Sequence, residues 1–576
     1  MKIYRILIRR GYLGLKWGNQ FLLTCTDQSV YGCMRPKPKY NGAAMSEIIH
    51  LLTYDIGTTS AKTCLFEMGK KLVLIDSEAV GYELITSSDG GAEQRADDWW
   101  DAICKGTRVV LDRSRCDKEK IAAISFCCQM QALILVDEGG APVRNPMGYM
   151  DGRAVRQFEK NFASGFPRIE NLNAVKLLQA LYITGGAAAT AKDPLWKYHW
   201  VRENEPNAFA RAHKWLDVRD YLALRCTGNA TMTRDSAHLT FLYDTRKGHE
   251  QWSSRLCSLF DVEKNLLPEV KESLDKAGEL TSRAARELGL VKGIPVFNGG
   301  GDISMIALGS GSVDLHDTHI YTGTSGWVIA NVDKRMVDVH HFIAAICSAL
   351  PGRYNYAAEQ ETSGLCLQWV RDHLAKDSIG IYLEPQLTGD SSEALYDLMN
   401  EKVSQIEPGS GGVIFTPWLH GNRAPREDAM ARGMFFNIGL HTGKRAMIRS
   451  VLEGMAFHKR WMLEAIEKKV PPQEGLRFVG GGAKSSVLCQ IMADILGRQI
   501  QVPREPQNAG AAGAAIVCGL GLGAIASIGD AKSLVKIGSI HEPDPKTWET
   551  YTKMFTVFKQ LYDQNKRLFW ALNRRK

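Results

Sequence analysis

The feature that most constrains this chain is a strand–turn–strand unit that occurs twice. Residues His50 to Phe66 read as an apolar strand, a small polar turn and a second strand, with Asp55–Ile56–Gly57–Thr58–Thr59–Ser60 at the turn. The stretch His319–Ile320–Tyr321–Thr322–Gly323–Thr324–Ser325–Gly326–Trp327–Val328–Ile329–Ala330 repeats that plan. Glycine takes backbone angles closed to other residues, so such a turn is tight and its N–H groups converge on an anion. Asp55, at the end of the first strand, is placed to hold Mg²⁺, usually through water. An ordinary hairpin with a favourable turn has the same local signature. Two copies far apart in one chain point instead to two related domains, each offering a phosphate-cradling turn to a shared cleft.

At 576 residues the chain exceeds one hydrophobic core, and two large domains are expected. Its apolar and charged fractions, 45% and 23%, are those of a soluble globular protein. A net charge of +8 is mild: it suits an anionic substrate, and no basic run argues for nucleic acid. The 13 cysteines include no C-x-x-C pair, and Cys127 and Cys128 adjoin in an apolar run. That pattern predicts buried, reduced thiols in a cytoplasmic protein, not a disulfide or zinc framework. The uncharged run from Ala509 to Ser527 is rich in Ala and Gly, so it reads as a buried helix in close contact with backbone or ligand, not as a membrane span. Lys2, Arg5, Arg9, Arg10 and Lys16 all precede the first acid, Asp27, as in an organelle presequence, but no cleavage site follows. Met45–Ser46–Glu47 restarts just before the first strand, so residues 1–44 are expected to be an extension outside the fold.

Strand-like residues continue from Leu72 to Gly81, and after a polar loop Asp97 or Asp98 is expected to cap a helix from Trp99 to Leu111. Ile121 to Cys128 reads as a buried strand ending in the corner Gln129–Met130–Gln131, with Ala132 to Val136 returning to pair with it. Strands alternating with helices give an α/β core. Asp151 and Arg153, after Tyr149, are a hydroxyl-binding pair or a surface ion pair. Trp196 and Trp200 fall on one side of a helix around Lys197–Tyr198–His199, as core residues do. A buried strand then ends in Asn298–Gly299–Gly300–Gly301–Asp302, and Ile303 to Gly309 looks helical. Capping that helix needs no glycines. Three of them imply close approach by a ligand or another backbone, which makes Asp302 a functional candidate. Pro417 to Pro425 forms an irregular loop, Arg445 to Arg460 a helix, and Gly480–Gly481–Gly482–Ala483 a third glycine turn. No P-loop, dinucleotide fingerprint or zinc-protease motif is present in the sequence.

Taken in order, these landmarks resemble the FGGY family of carbohydrate kinases, and its xylulokinase-like branch most closely. They are Asp55–Ile56–Gly57–Thr58–Thr59, Ala92–Glu93–Gln94, Gln129–Met130–Gln131, Tyr149 to Arg153 and Lys197 to Trp200. Gly299 to Asp302, Gly323 to Gly326, Leu419 to Pro425, Leu452–Glu453–Gly454 and Gly480 to Ser485 complete the series. The resemblance implies two actin-like (ribonuclease H-like) domains closing over a central cleft: a sugar-side domain over 46–298, an ATP-side domain over 299–545 and a C-terminal helix over 546–576. It implies Asp302 as general base toward a sugar hydroxyl and Asp55 as the Mg²⁺ ligand. Thr58, Thr59, Gly323 and Thr324 would meet the phosphates, and Gly480, Gly481, Gly482 and Ala483 the adenosine of ATP. Gln129, Met130, Gln131, Asp151 and Asp302 would line the sugar, a small-molecule substrate most like D-xylulose. A homodimer fits the family, and neither nucleic acid nor membrane is an expected partner. Departures fall on the sugar side: Gln131 stands where xylulokinases have His, Tyr149 where the family has Trp, Ile303 where it has Asn, and Asn422 where it has Glu.

Overall fold

The structure, a computed structural model, describes residues 48–169, 171–375 and 392–574, so the extension expected over 1–44 lies outside the described residues. β1 (Ile49–Ile56), β2 (Ser60–Met68) and β3 (Leu72–Gly81) form an antiparallel meander. Leu51, Leu52, Tyr54 and Ile56 are all fully buried, because β1 lies in the middle of its sheet with both faces covered. Helix α1 (Ala96–Ser114) carries the chain across the sheet, and β4 (Ile121–Cys128) joins the free side of β1 in parallel. β5 (Lys276–Glu279) and β6 (Pro295–Phe297) complete the order β5-β6-β4-β1-β2-β3, and β7 (Gly300–Gly301) pairs with the end of β4. Helix α2 (Asp302–Gly309) starts directly from β7.

The second sheet repeats the plan. β8 (Thr318–Thr322) and β9 (Gly326–Val332) form its hairpin, followed outward by β12 (Tyr354–Gln360), β11 (Ile343–Cys347) and β10 (Val337–Asp338). After the long buried helix α3 (Lys444–Ile466), β13 (Gly475–Val479) joins β8 in parallel, β14 (Gln499–Pro503) joins β13, and β15 (Ile537–His541) closes the edge. In both sheets the hairpin's first strand is central, with antiparallel neighbours on one side and parallel ones on the other. Between β14 and β15 the chain forms helix α4 (Ala509–Leu522), and it ends in α5 (Trp548–Asn573), whose Tyr551, Phe555 and Phe558 enter the second core.

Helix α4 packs on the first sheet. Ala511, Ala514, Ala515 and Ile516 share a core with Leu51, Phe66 and Ala123. It crosses α2 at backbone contact: a Cβ on Gly309 would lie 1.7 Å from the Ala509 carbonyl oxygen, and one on Gly513 would lie 1.9 Å from that of Met305. The small residues from Ala509 onward therefore mark a helix crossing. Among the described residues no helix is long and apolar enough to cross a membrane. β7 follows residue 298 in the chain and belongs to the first sheet.

Two local expectations are corrected. Helix α1 begins at Ala96 with Arg95 at its N-cap and no side-chain cap, so Asp97 and Asp98 lie in the first turn, where they favour the helix dipole. The return strand is confined to Ile134–Val136 and pairs with Lys214–Leu216, not with β4. The Asp217 carboxylate accepts the Gln131 and Ala132 N–H groups (3.1 Å each), taking them away from any ladder, and Gln131 turns the chain at φ 64°. Every cysteine among the described residues is a free thiol, and all but Cys116 are buried.

Candidate active site

The ends of β1 and β8 and the start of α2 meet at one small cavity of about 80 Å³, lined by Asp55, Gly57, Asp302, Tyr321, Gln507 and Gly510 among others. That volume holds about two or three waters. It suits a phosphoryl group or a partly hydrated cation and is too small for a nucleotide.

Asp55 faces its cross-strand partner Lys62 at the end of β1. Burial raises its carboxyl above the usual range, while the Lys62 ammonium and the Cys127 thiol pull it down. The Lys62 ammonium donates to the Gln507 carbonyl (3.0 Å) and to Asn508 Oδ1 (2.9 Å), fastening the first hairpin to the entry of α4. Gly510 lies directly against the acid: a Cβ there would meet Cys127 Sγ at 2.6 Å and Asp55 Oδ2 at 3.2 Å. The turn itself is braced from beneath by the Tyr82 hydroxyl, which donates to the Gly57 (2.5 Å) and Ser60 (3.0 Å) carbonyls. Gly57 does not need its special freedom, since its φ is not positive and a Cβ would meet only the Ser60 carbonyl, at 3.5 Å. The Thr58 hydroxyl donates to Tyr149 Oη (3.4 Å), and Thr59 is exposed at the tip.

Asp302 is the first residue of α2, and its Oδ1 accepts the Ile303 N–H at 2.8 Å. Burial pushes its carboxyl up to about 7; the Ile303 N–H opposes this, and the charges of Asp55, Glu359 and Asp217 add to it. The preceding glycines answer to protein neighbours. Gly299 has φ 65° with its Cα against the Phe126 backbone, and a Cβ on Gly301 would lie 1.9 Å from Met130 Sδ. Gly301 N–H donates to the buried Asp235 (3.0 Å).

The second hairpin and the third glycine turn adjoin. A Cβ on Gly480 would strike the Thr322 carbonyl oxygen at 2.5 Å, and one on Gly482 would strike Thr322 Cγ2 at 2.5 Å. Gly481 has open space above it, and Ala483 is buried in the second core. Thr324 is exposed; its carbonyl and that of Gly323 accept N–H groups from Ser363, Leu365 and Gly364. Thus Gly323, Thr324 and Gly480 to Gly482 form one surface, with Ala483 beneath it.

The residues expected at the sugar separate. The Gln131 amide donates to Asp193 Oδ1 (3.4 Å), and Gln129 donates to Gln94 Oε1 (2.7 Å), while Gln94 Nε2 donates to the Thr58 carbonyl (2.6 Å). Met130 instead joins Ile303, Ile306 and Trp327 in an apolar cluster, so its side chain is packing. Asp151 is fully buried; its carboxylate accepts the Ala92 N–H (2.9 Å) and pairs with Arg153 (2.6 Å). Arg153 also pairs with Glu93 and lies 4.4 Å from the Trp200 ring, so Asp151 belongs to a buried ion-pair network.

Several residues near the site were given no role from sequence. Burial pushes Asp193 up to about 6 and Asp217 up to about 7, and lowers Lys197 to about 8, its ammonium donating to the Gln131 and Gly148 carbonyls. From the second sheet, Glu359 pairs with Arg423 at 2.7 Å. Tyr321 was legible in principle: superimposing the two turns sets it opposite Asp55.

Residues 50–309 match the N-terminal domain of the FGGY family of carbohydrate kinases, and residues 319–522 match its C-terminal domain. A xylulose kinase of Lactococcus lactis subsp. lactis (strain IL1403) is 29% identical over 524 residues, covering 89% of this chain and 96% of that protein. A gluconate kinase structure from Lactobacillus acidophilus matches with a TM-score of 0.77 at 24% identity, over 91% of this chain and 100% of that one. A ligand-bound xylulose kinase structure from the same organism matches equally, at 0.77 and 24%, over 91% and 99%. The two structures speak for the fold, a pair of actin-like (ribonuclease H-like) domains. With both family domains matched in order along the described sheets, the chain belongs to the FGGY family of carbohydrate kinases.

Proposed function

We propose that this kinase transfers the γ-phosphoryl group of ATP to a hydroxyl of a ketopentose such as D-xylulose, with Asp302 as general base. The observation that carries the reading is Asp302 itself: a carboxylate at a helix start, across a phosphoryl-sized cavity from Asp55, held by its surroundings near pH 7. A base poised there accepts a proton as the attacking hydroxyl becomes acidic. The step is in-line displacement: the sugar oxygen bonds to phosphorus, the bond to the ADP oxygen breaks, and the hydroxyl proton passes to Asp302. Phosphoryl transfer asks the protein mainly for alignment and charge compensation.

The two hairpin turns and the Gly480–Ala483 surface would hold ATP, with Thr58, Thr59, Gly323 and Thr324 toward its phosphates. A hard cation that keeps several waters and takes one or two carboxylates fits Asp55 and the neighbouring volume. Mg²⁺ bound there would offset the phosphate charge. On the sugar side, Gln131 with Asp193, Gln129 and the Glu359–Arg423 pair present hydrogen-bonding groups suited to a polyhydroxyl chain. The xylulose kinase relative favours a ketopentose, whereas the altered residues at 131, 149, 303 and 422 leave room for a different sugar.

The test is ADP release by the full chain with Mg-ATP and a panel of pentuloses, hexuloses, polyols and sugar acids. Strong stimulation by a ketopentose is expected. Stimulation by a sugar acid or polyol alone would keep the kinase and replace its substrate; no stimulation by any, with Mg-ATP still bound, would favour a catalytically silent sensor.

A further inference from the structure

One wall of the Asp55–Asp302 cavity is a phenol that the reaction as described leaves unused. Tyr321 is the penultimate residue of β8, and its ring is fixed. It stacks on Trp327, its cross-strand partner, at 4.1 Å between centroids and 22° between planes. Trp327 is itself held by a hydrogen bond from its indole N–H to His319 Nε2 (3.0 Å). Two glycines make the slot for the ring: a Cβ on Gly323 would lie 2.1 Å from the Tyr321 hydroxyl, and one on Gly480 2.9 Å from Cε2. Both belong to the turns assigned to the phosphates and adenosine, so the hydroxyl lies where those turns meet the cavity.

Among the described residues that hydroxyl has no hydrogen-bond partner. Burial, followed by the charges of Asp55 and Asp302, raises the phenol above its usual range, so it stays protonated at neutral pH and is available as a donor. A rigid O–H lacking an acceptor, beside two carboxylates that repel anions, is the kind of group that waits for a phosphoryl oxygen.

We propose that Tyr321 is a further catalytic residue of this kinase, its hydroxyl donating a hydrogen bond to a non-bridging oxygen of the γ-phosphoryl group in transit. The inference rests on the kinase reading above and adds a donor to it. Because the ring is already clamped on Trp327, the donor needs no reorganisation when charge develops, and removing one such donor typically lowers kcat by about 10²–10³.

Tyr321→Phe keeps the ring and its stack and removes only the oxygen. The expected result is a kcat for sugar-stimulated ADP release lowered about a hundredfold, with the sugar KM little changed. By calorimetry the same variant should bind Mg-ATP several-fold more weakly than wild type and Mg-ADP equally well, since only ATP brings the γ-phosphoryl oxygen. A Phe variant with wild-type kcat and unchanged affinity for both nucleotides would reduce Tyr321 to a packing residue and overturn the proposal. Faster turnover in Tyr321→Ser than in wild type would also overturn it, by showing the ring to be an obstruction. If wild type shows no sugar-stimulated turnover, the kinase reading fails on its own, and the contrast between ATP and ADP binding still decides the role of the hydroxyl.

Discussion

The two hairpin turns share a plan and differ in what they carry. Each ends a central strand at the same cavity, but Asp55 stands at the first strand end and Tyr321 at the equivalent place in the second. The cross-strand partner is a lysine in one and a tryptophan in the other. The Gly57 N–H closes onto Ser60 and that of Gly323 onto Ser325, so the second turn is a residue tighter. Each also has a lysine amine nearby. That of Lys62 is satisfied by two oxygens. Lys459, from α3, is buried without an acceptor beside Gly326, where a Cβ would lie 2.2 Å from Nζ, and burial holds its amine well below the usual lysine range. A duplicated backbone device has thus been given an acid with a satisfied cation on one side, and a phenol with a desolvated amine on the other.

The largest effect should come from the acids. Asp302→Asn is expected to lower kcat about a thousandfold, with sugar affinity measured by calorimetry nearly unchanged. Asp55→Asn should cost more turnover than Tyr321→Phe, and the reverse order would break the assignment of the cation to the first turn. Asp302→Asn should also stabilise the fold. The carboxyl rises from 3.8 to about 7 on folding, so the native state gains protons in that window and stability is lost as pH rises through it. The gain in Tm of the Asn variant over wild type should be large at pH 8 and shrink toward pH 5.

The lysines should separate by sign. Lys62→Met removes two hydrogen bonds from a cationic donor and should destabilise by about 2 kcal/mol. Lys459→Met replaces an unsatisfied buried amine by an apolar group of similar shape and should be neutral or stabilising, by about 1 kcal/mol. Urea unfolding of both checks this; loss of stability in both would show that Lys459 has a partner in solution.

The glycines give a smaller contrast. Gly323→Ala must push the Tyr321 ring off Trp327 and should cost about 1–3 kcal/mol, with kcat falling as in Tyr321→Phe. Gly57→Ala brings a Cβ only into ordinary contact with the Ser60 carbonyl, at 3.5 Å, and should stay within about 0.5 kcal/mol of wild type. Smallest is the effect of Glu359→Gln. Glu359 raises the Asp302 carboxyl, so neutralising it should move the acid limb of kcat/KM to lower pH by less than about one unit. Movement to higher pH would mean that Asp302 is not the group titrating.

The sheet centres were legible because they are continuous apolar runs, β1 and β4 above all, and Asp302 because a helix start follows three glycines. The meaning of those glycines was not. Gly301 is small for Met130, and Gly299 for the Phe126 backbone, contacts made by strands whose neighbours no local pattern reveals. Asp151 and Arg153 read as a hydroxyl-binding pair or a surface ion pair, since two residues of sequence cannot tell that Ala92, Glu93 and Trp200 are their neighbours. Glu359 carries no signal at all, as it becomes part of the site only when the second sheet faces the first. Tyr321 was hidden by its own context, an aromatic in an apolar strand, until the two turns are compared position by position.

The crossing of α2 and α4 has a consequence for heredity. The helix that covers one face of the first sheet follows most of the second sheet in the chain, so a nonsense codon shortly before Ala509 strips both halves of the molecule at once. Recombination between related genes meets the same constraint. A crossover between the codons for Gly309 and Gly513 joins two helices that touch through bare backbone, and the crossing is kept only where each parent supplies glycine at its own position.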